Sequence, residues 1–374
     1  MPNDFTPTTL KEVQLKWDTA FNGNRIDLPL KADPVTAAVV LEKQTARIDP
    51  ILVRDYCRGF EVGFLESDST TIPTAVTSAP AVDCTLPTGD TLSSNQKTYD
   101  KNLFLQSTFS VPDADCDNTM KFVDRASKGL MAAMQKLSLG LNNTILARLV
   151  ANAQTPTYAG DKGTINGNTI EFAAADFATG DAGADLVGYW NEIAIKEYLS
   201  SDYYVINGTN FQALNFNAQF RAANDNQRNQ ALAFGWDNKM YWDLHNLDNV
   251  VGSASSFVID PNMVFGGFTS SYGMEMEDIK TTNTFTRVFS MPLQYVSMAQ
   301  NGVNGSNIRT MQFSNGGVLE PVMVDVEYQL TCDPASLDAK RSSIHTWRLT
   351  IKGLFDTAVA SAGDGTGILQ MVKV

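Results

Sequence analysis

Apolar positions recur at steps of three and four between Asp115 and Val150: Val123, Leu130, Met134, Leu137, Leu141, Ile145 and Leu149 fall on one helical face. The spacing predicts a helix of about thirty residues, which would run about 45 Å and be more than twice as long as an average globular helix of about 11–12 residues. Such a helix is a spine. Asp115 or Asp117 stands where a helix start needs an oxygen for its free amides, and either would complement the positive helix end.

On both sides of the spine the period changes. Phe60–Leu65 and Leu103–Val111 read as strands, and the residues between them are rich in Thr, Ser, Pro, Asp and Gly with few anchors for a core. This stretch is expected to be a long projecting hairpin closed by those two strands. An exposed edge of that kind is a liability unless another molecule covers it. Before it, residues 1–55 hold a short helical stretch, Val35 to Ala46, and are punctuated by Pro29, Pro34 and Pro50, which argues for an extended arm.

After the spine, Thr164–Ile170 carries an Asn-Gly hairpin signal at Asn166-Gly167. Helical spacing returns from Leu186 to Leu199, followed by the buried-strand pattern Tyr203–Gly208 and a further helix expected around Phe211–Arg221. Phe257–Pro261, Met263–Phe268, Phe285–Phe289 and Leu293–Met298 read as strands, so 184–318 is expected to be an α/β domain. Val322–Leu330 alternates strictly, His345–Phe355 is a second long strand, and the polar linker between them predicts an antiparallel pair. A loose tail with a short strand is expected at the end. The fold class is therefore α+β.

Composition narrows the function. Charged residues make up 18% of the 374, below the usual figure of about 25%. Asn, Thr, Ser, Gln and Gly fill the difference, as in proteins whose surfaces are consumed by contacts with their own copies. The 28 basic and 41 acidic residues give a net charge of −13 with no basic run, so the electrostatic footprint of nucleic-acid binding is missing. No secretory signal or membrane-spanning apolar run is read from the sequence. Cys57, Cys84, Cys116 and Cys332 lie far apart and are read as free thiols rather than a zinc site or disulfide framework.

Candidate chemistry is sparse. The two histidines, His245 and His345, are read as structural. Asp113, Asp115 and Asp117 have alternate spacing without the glycine turn and distant Glu of a calcium loop, and fit helix capping better. Glu275, Glu277 and Asp278 read as a solvated strand face, and Trp236, Tyr241 and Trp242 as core or subunit contact. Gly363-Asp364-Gly365-Thr366-Gly367 has no following helix to make it a nucleotide loop. No catalytic residue, cofactor or metal ligand is assigned, which favours a structural role over an enzymatic one.

The order of arm, polar hairpin, spine helix, α/β domain and return strands resembles the major capsid protein of tailed double-stranded-DNA bacteriophages, the Hong Kong 97 type fold. Local stretches are similar too: Leu141–Leu149 to the end of that family's spine helix, Tyr204–Thr209 to the strand and turn after the first helix of its axial domain, Phe257–Phe268 to a strand pair that often carries Gly-Gly, and Thr350–Phe355 to its closing strand. The resemblance implies an N-terminal arm (1–55), an E-loop hairpin (56–110), a P-domain with the spine helix (111–183), an A-domain (184–318), and P-domain return strands with a tail (319–374). It further implies self-assembly into hexamers and pentamers of an icosahedral shell around packaged double-stranded DNA. Portal, scaffold or decoration proteins would be partners, no membrane would be involved, and the protein would lie in the virion after assembly in the host bacterial cytoplasm. Lys97, Lys101, Leu103 and Phe104 are the expected inter-subunit residues. Lys97 and Lys101 match the region where some relatives carry a cross-linking lysine, but no asparagine partner is identifiable, so no cross-link is carried over. The rival readings are an encapsulin-type nanocompartment shell, a secreted β-rich adhesin or surface-layer protein, and, most distantly, a carboxylate hydrolase.

Overall fold

The computed structural model describes residues 12, 33–53, 56–66, 93–112, 119–173, 182–197, 199–211, 239–281, 284–297, 308–332, 343–357 and 366–374. The expected caps Asp115 and Asp117, the helix expected at 212–221 and Trp236 lie outside them.

Helix α1 (Val35–Lys43) opens the described chain. Strands β1 (Ile48–Val53), β2 (Tyr56–Glu66) and β3 (Ser93–Asp100) form an antiparallel three-stranded ribbon with β2 in the middle. The register runs from Gly59 opposite Asp100 to Glu66 opposite Ser93. This corrects the sequence expectation. The closing strand of the hairpin is 93–100, whereas Leu103–Pro112 (β4) leaves the ribbon and joins another sheet.

The spine is α2 (Thr119–Ala151), 33 residues long and so about 50 Å. Every residue of the expected apolar stripe, from Val123 to Leu149, is buried. The helix packs on β4 and β18 (Ser343–Thr357) on one side, and on α1, on α4 (Asn246–Val250) and on β13 (Gln294–Val296) elsewhere. Because it is covered on several sides, polar positions are buried as well, and each finds a partner. Gln135 accepts the Val296 amide at 3.0 Å, and Ser138 donates to the Gln135 carbonyl at 2.9 Å, as burial demands.

The sheet over the spine is antiparallel, in the order β10 (Val264–Thr269), β18, β17 (Met323–Cys332), β12 (Thr284–Pro292) and β11 (Glu277–Thr281), with β4 on the other edge of β18. The expected pairing of the last two long strands holds, with Leu330 opposite His345 and Asp325 opposite Thr350. A second sheet is mixed, in the order β5 (Gly163–Asn166), β6 (Thr169–Phe172), β19 (Ile368–Lys373), β9 (Ser255–Ile259), β7 (Tyr204–Asn207) and β8 (Met240–Trp242). Helix α3 (Ala182–Lys196) packs on it through Tyr189, Trp190 and Ile193, beside Phe172, Phe211 and Leu369. The hairpin expected at Asn166-Gly167 is present as β5–β6, with Gly167 at φ 58°. Two short ribbons complete the structure: β13 with β14 (Ile308–Thr310), and β15 (Gln312–Asn315) with β16 (Val318–Pro321).

The fold is α+β, and its elements follow the order that the capsid-subunit resemblance implies. The sheets do not respect the sequence boundaries of that reading. β10 and β12 share a sheet with β17 and β18, while β6 and β19 share one with β7 and β9. β9 and β10, a strand pair by sequence, stand in different sheets.

Candidate assembly surface

Lys97, Lys101, Leu103 and Phe104 fall where the ribbon meets the body. Lys97 lies on β3 opposite Val62. The chain then turns through Lys101 and Asn102 into β4. Asn102 behaves like one more residue of the ladder: its side-chain Nδ2 donates to the Phe355 carbonyl at 3.0 Å and its Oδ1 accepts the Phe355 amide at 3.0 Å. Its own amide donates to Gly353 O at 3.2 Å. Below this anchor, the described apolar packing of the ribbon on the body is one small cluster of Ile48, Val62, Phe265 and Leu354.

β4 alternates because its two faces meet different surroundings. Leu103 and Val111 are buried and Leu105 and Phe109 half-buried against the spine, while Phe104, Gln106, Thr108 and Ser110 are exposed. Leu103 thus belongs to the subunit's own core, whereas Phe104 is 62% exposed. The outer residues sit opposite Lys352, Thr350, Arg348 and Thr346 of β18. Together they form a hydroxyl-rich sheet face with one large aromatic at the end nearest the ribbon.

A polar network stiffens the neighbouring strands. The buried Asp325 carboxylate accepts the Ser271 amide at 3.0 Å, Ser290 Oγ at 2.8 Å and Lys352 Nζ at 3.0 Å. Glu327 pairs with Arg348 and accepts the Tyr272 hydroxyl at 3.0 Å. Burial first, and the Glu327 bond second, push the Tyr272 hydroxyl up to about 12. This ties the 270–276 loop across β17 and leaves the β4 face uncovered among the described residues.

The residues with candidate chemistry are dispersed. His345 is fully buried among Phe122, Tyr328 and Trp347, with Tyr328 Oη 2.7 Å from its Nδ1. His245 is exposed at the start of α4. Asp278 pairs with Arg287 at 2.9 Å, and Glu275 and Glu277 are exposed. Tyr241 and Trp242 are half-buried on β8. Among the described residues no group of His, Cys, Asp and Glu could hold a metal ion, and no helix is long and apolar enough to cross a membrane. Sequence reasoning missed Asn102, Gln44 and Asp243, whose importance lies in partners far away in the chain. Gln44 alone closes three bonds, donating to Gly266 O and Ser314 O and accepting the Gly266 amide.

No protein-family model and no curated protein matches the sequence. Among solved structures, the chain is similar to one described as Microbacterium phage Oxtober96, at 13% identity over 93% of this chain and 94% of that chain, with a TM-score of 0.44. It is similar to the capsid structure of Staphylococcus phage Andhra at 10% identity over 93% and 87%, TM-score 0.39. It is similar also to the asymmetric unit of the bacteriophage PhiM1 mature capsid at 7% identity over 84% and 82%, TM-score 0.39.

Proposed function

We propose that this chain is a shell-forming structural subunit, the major capsid protein of a tailed double-stranded-DNA bacteriophage. It assembles into the hexamers and pentamers of an icosahedral shell. The observation that carries this reading is the β1–β2–β3 ribbon, held at its base by Asn102 and, among the described residues, by one small apolar cluster, beside a β4 face that no described residue covers. A two- or three-stranded ribbon gains little from standing alone. Laid over a neighbour, its edge is paired and its ordering is offset by burial. The face it leaves beside its base, ending in Phe104, is where another copy fits.

Each such contact is small, and a shell multiplies it. The wall gains nothing from gripping its contents, and an acidic subunit of net charge −13 repels phosphates rather than binding them. The DNA is therefore enclosed without sequence recognition. Portal, scaffold or decoration proteins would act at sites this chain does not itself define, and the assembled protein belongs in the virion. An encapsulin-type shell has the same architectural needs and differs in its cargo, so the contents of purified particles separate the two.

The test is sedimentation velocity of the purified chain and of Phe104→Asp. At 62% exposure Phe104 contributes little to the fold, so the variant should melt within about 0.5 kcal/mol of the parent. It should also stay as subunits or single capsomers under conditions where the parent forms large particles. Assembly unchanged in the variant would remove the β4 face from the interface, and a parent that never sediments above a monomer would remove the assembly reading itself.

A further inference from the structure

Helix α1 begins without a cap of its own. Its N-cap position is Pro34, with no side-chain hydrogen bond, and first-turn amides need acceptors. Distant segments supply them. Thr36 N donates to Asp243 Oδ2 at 3.3 Å, and Ala37 N donates to Asn142 Oδ1 of the spine at 2.7 Å. The same Asp243 oxygen accepts Thr36 Oγ1 at 2.6 Å and Asn142 Nδ2 at 2.9 Å. The other oxygen accepts the amide and Nδ2 of Asn246, at 3.1 and 3.2 Å. Asn246 Nδ2 also donates to the Asp33 carbonyl at 2.8 Å, and Ser297 Oγ to the Asp33 carboxylate at 3.0 Å. Thr36 and Asn142 are fully buried and Asp243 is 1% exposed.

We propose that this cluster is a latch that docks α1 on the spine and lets α1 open as a unit of its own. The catch is preformed. If α1 departs, Asp243 keeps Asn142 and Asn246, both anchored in elements that do not move with α1, so the buried carboxylate stays solvated by fixed donors. The bolt is Thr36 and Ala37. A helix of nine residues does not persist alone in water, so undocking and unfolding of α1 are one event, at a smaller free energy than global unfolding. Gln44 provides the second attachment, at the far end of the same helix, through Gly266 and Ser314. Between them Ala37, Val40 and Leu41 are buried in the core, with Ala38 and Val39 packed against it. What the latch serves rests on the assembly reading: a subunit that tiles non-identical positions gains from a short element that can dock or release as a unit.

The experiment is native-state hydrogen exchange on the full-length chain, kept dilute enough to remain unassembled, with Asp243→Asn and Thr36→Val. Thr36→Val keeps shape and charge and removes one bond to the carboxylate, so it reports even if Asp243→Asn fails to fold. The latch predicts that amides of 36–43 exchange about tenfold faster in each folded variant, the effect of losing a helix cap, while 130–149 and β17–β18 keep the parent's rates. Unchanged exchange in α1, or equal acceleration through the spine and sheets, would overturn it. Because subunits are measured before any association, failure here leaves shell formation to be judged by the sedimentation experiment.

Discussion

Gly129 and Gly140 lie on one face of α2, about three turns apart, and serve different needs. A Cβ on Gly129 would lie 2.4 Å from the Phe109 ring of β4, whereas one on Gly140 would meet Leu105 at an ordinary 3.8 Å. Phe109 has little room to retreat, because its ring stacks on Trp347 with centroids 4.8 Å apart. Glycine inside a helix costs about 1 kcal/mol against alanine, so only Gly129 returns that cost, by letting helix and strand approach. Gly129→Ala should therefore lower stability by about 1–3 kcal/mol through overpacking, and Gly140→Ala should raise it by about 0.5–1 kcal/mol, both read from chemical denaturation. Equal effects of the two substitutions would mean that the close approach at Phe109 is not a constraint.

At the scale of elements, the base of the ribbon decides how it stands. Asn102→Ala removes the bonds to both backbone groups of Phe355 and should cost about 1–2 kcal/mol. Backbone exchange should quicken in 56–62 and 96–100 while β17–β18 stays protected, and loosening confined to β18 would show that Asn102 supports the sheet and not the ribbon. The same region shows what the sequence could and could not reveal. Leu103–Val111 was legible as a strand because one face lies on the spine, which forces apolar residues onto every second position. The strand that closes the ribbon, Ser93–Asp100, has almost no apolar alternation. The period-two signal comes from a core, so a strand without it reads as loop, and the next alternating stretch, 103–111, reads as the closing strand in its place. The spine was legible for the opposite reason, since every residue of its expected stripe faces protein. Leu103 and Phe104, adjacent in sequence and both apolar, read alike as surface candidates. The pleat sends one into the subunit's own core and leaves the other outside.

At the scale of the whole molecule, the parts that hold the body together are not those that face outward. Asp243, Asn142, Gln44 and Asp325 join segments up to 270 residues apart, and no local pattern announces such pairings, because any buried Asn or Asp looks in sequence like a loop residue. Outward-facing candidates such as Phe104 on β4, and Val318 and Leu319 on the β15–β16 ribbon, are 62%, 64% and 46% exposed and contribute little to the isolated subunit. Exposed apolar residues also lie on helices, at Val150, Ile195 and Val250; on the proposed reading, the strand-borne ones face a neighbouring copy. The most direct test is electron microscopy of the purified full-length chain, expressed alone, across a range of concentrations. The account predicts closed shells, tubes or capsomer rings in which the 56–100 ribbon of one subunit lies across its neighbour; a compact monomer at every concentration would contradict it.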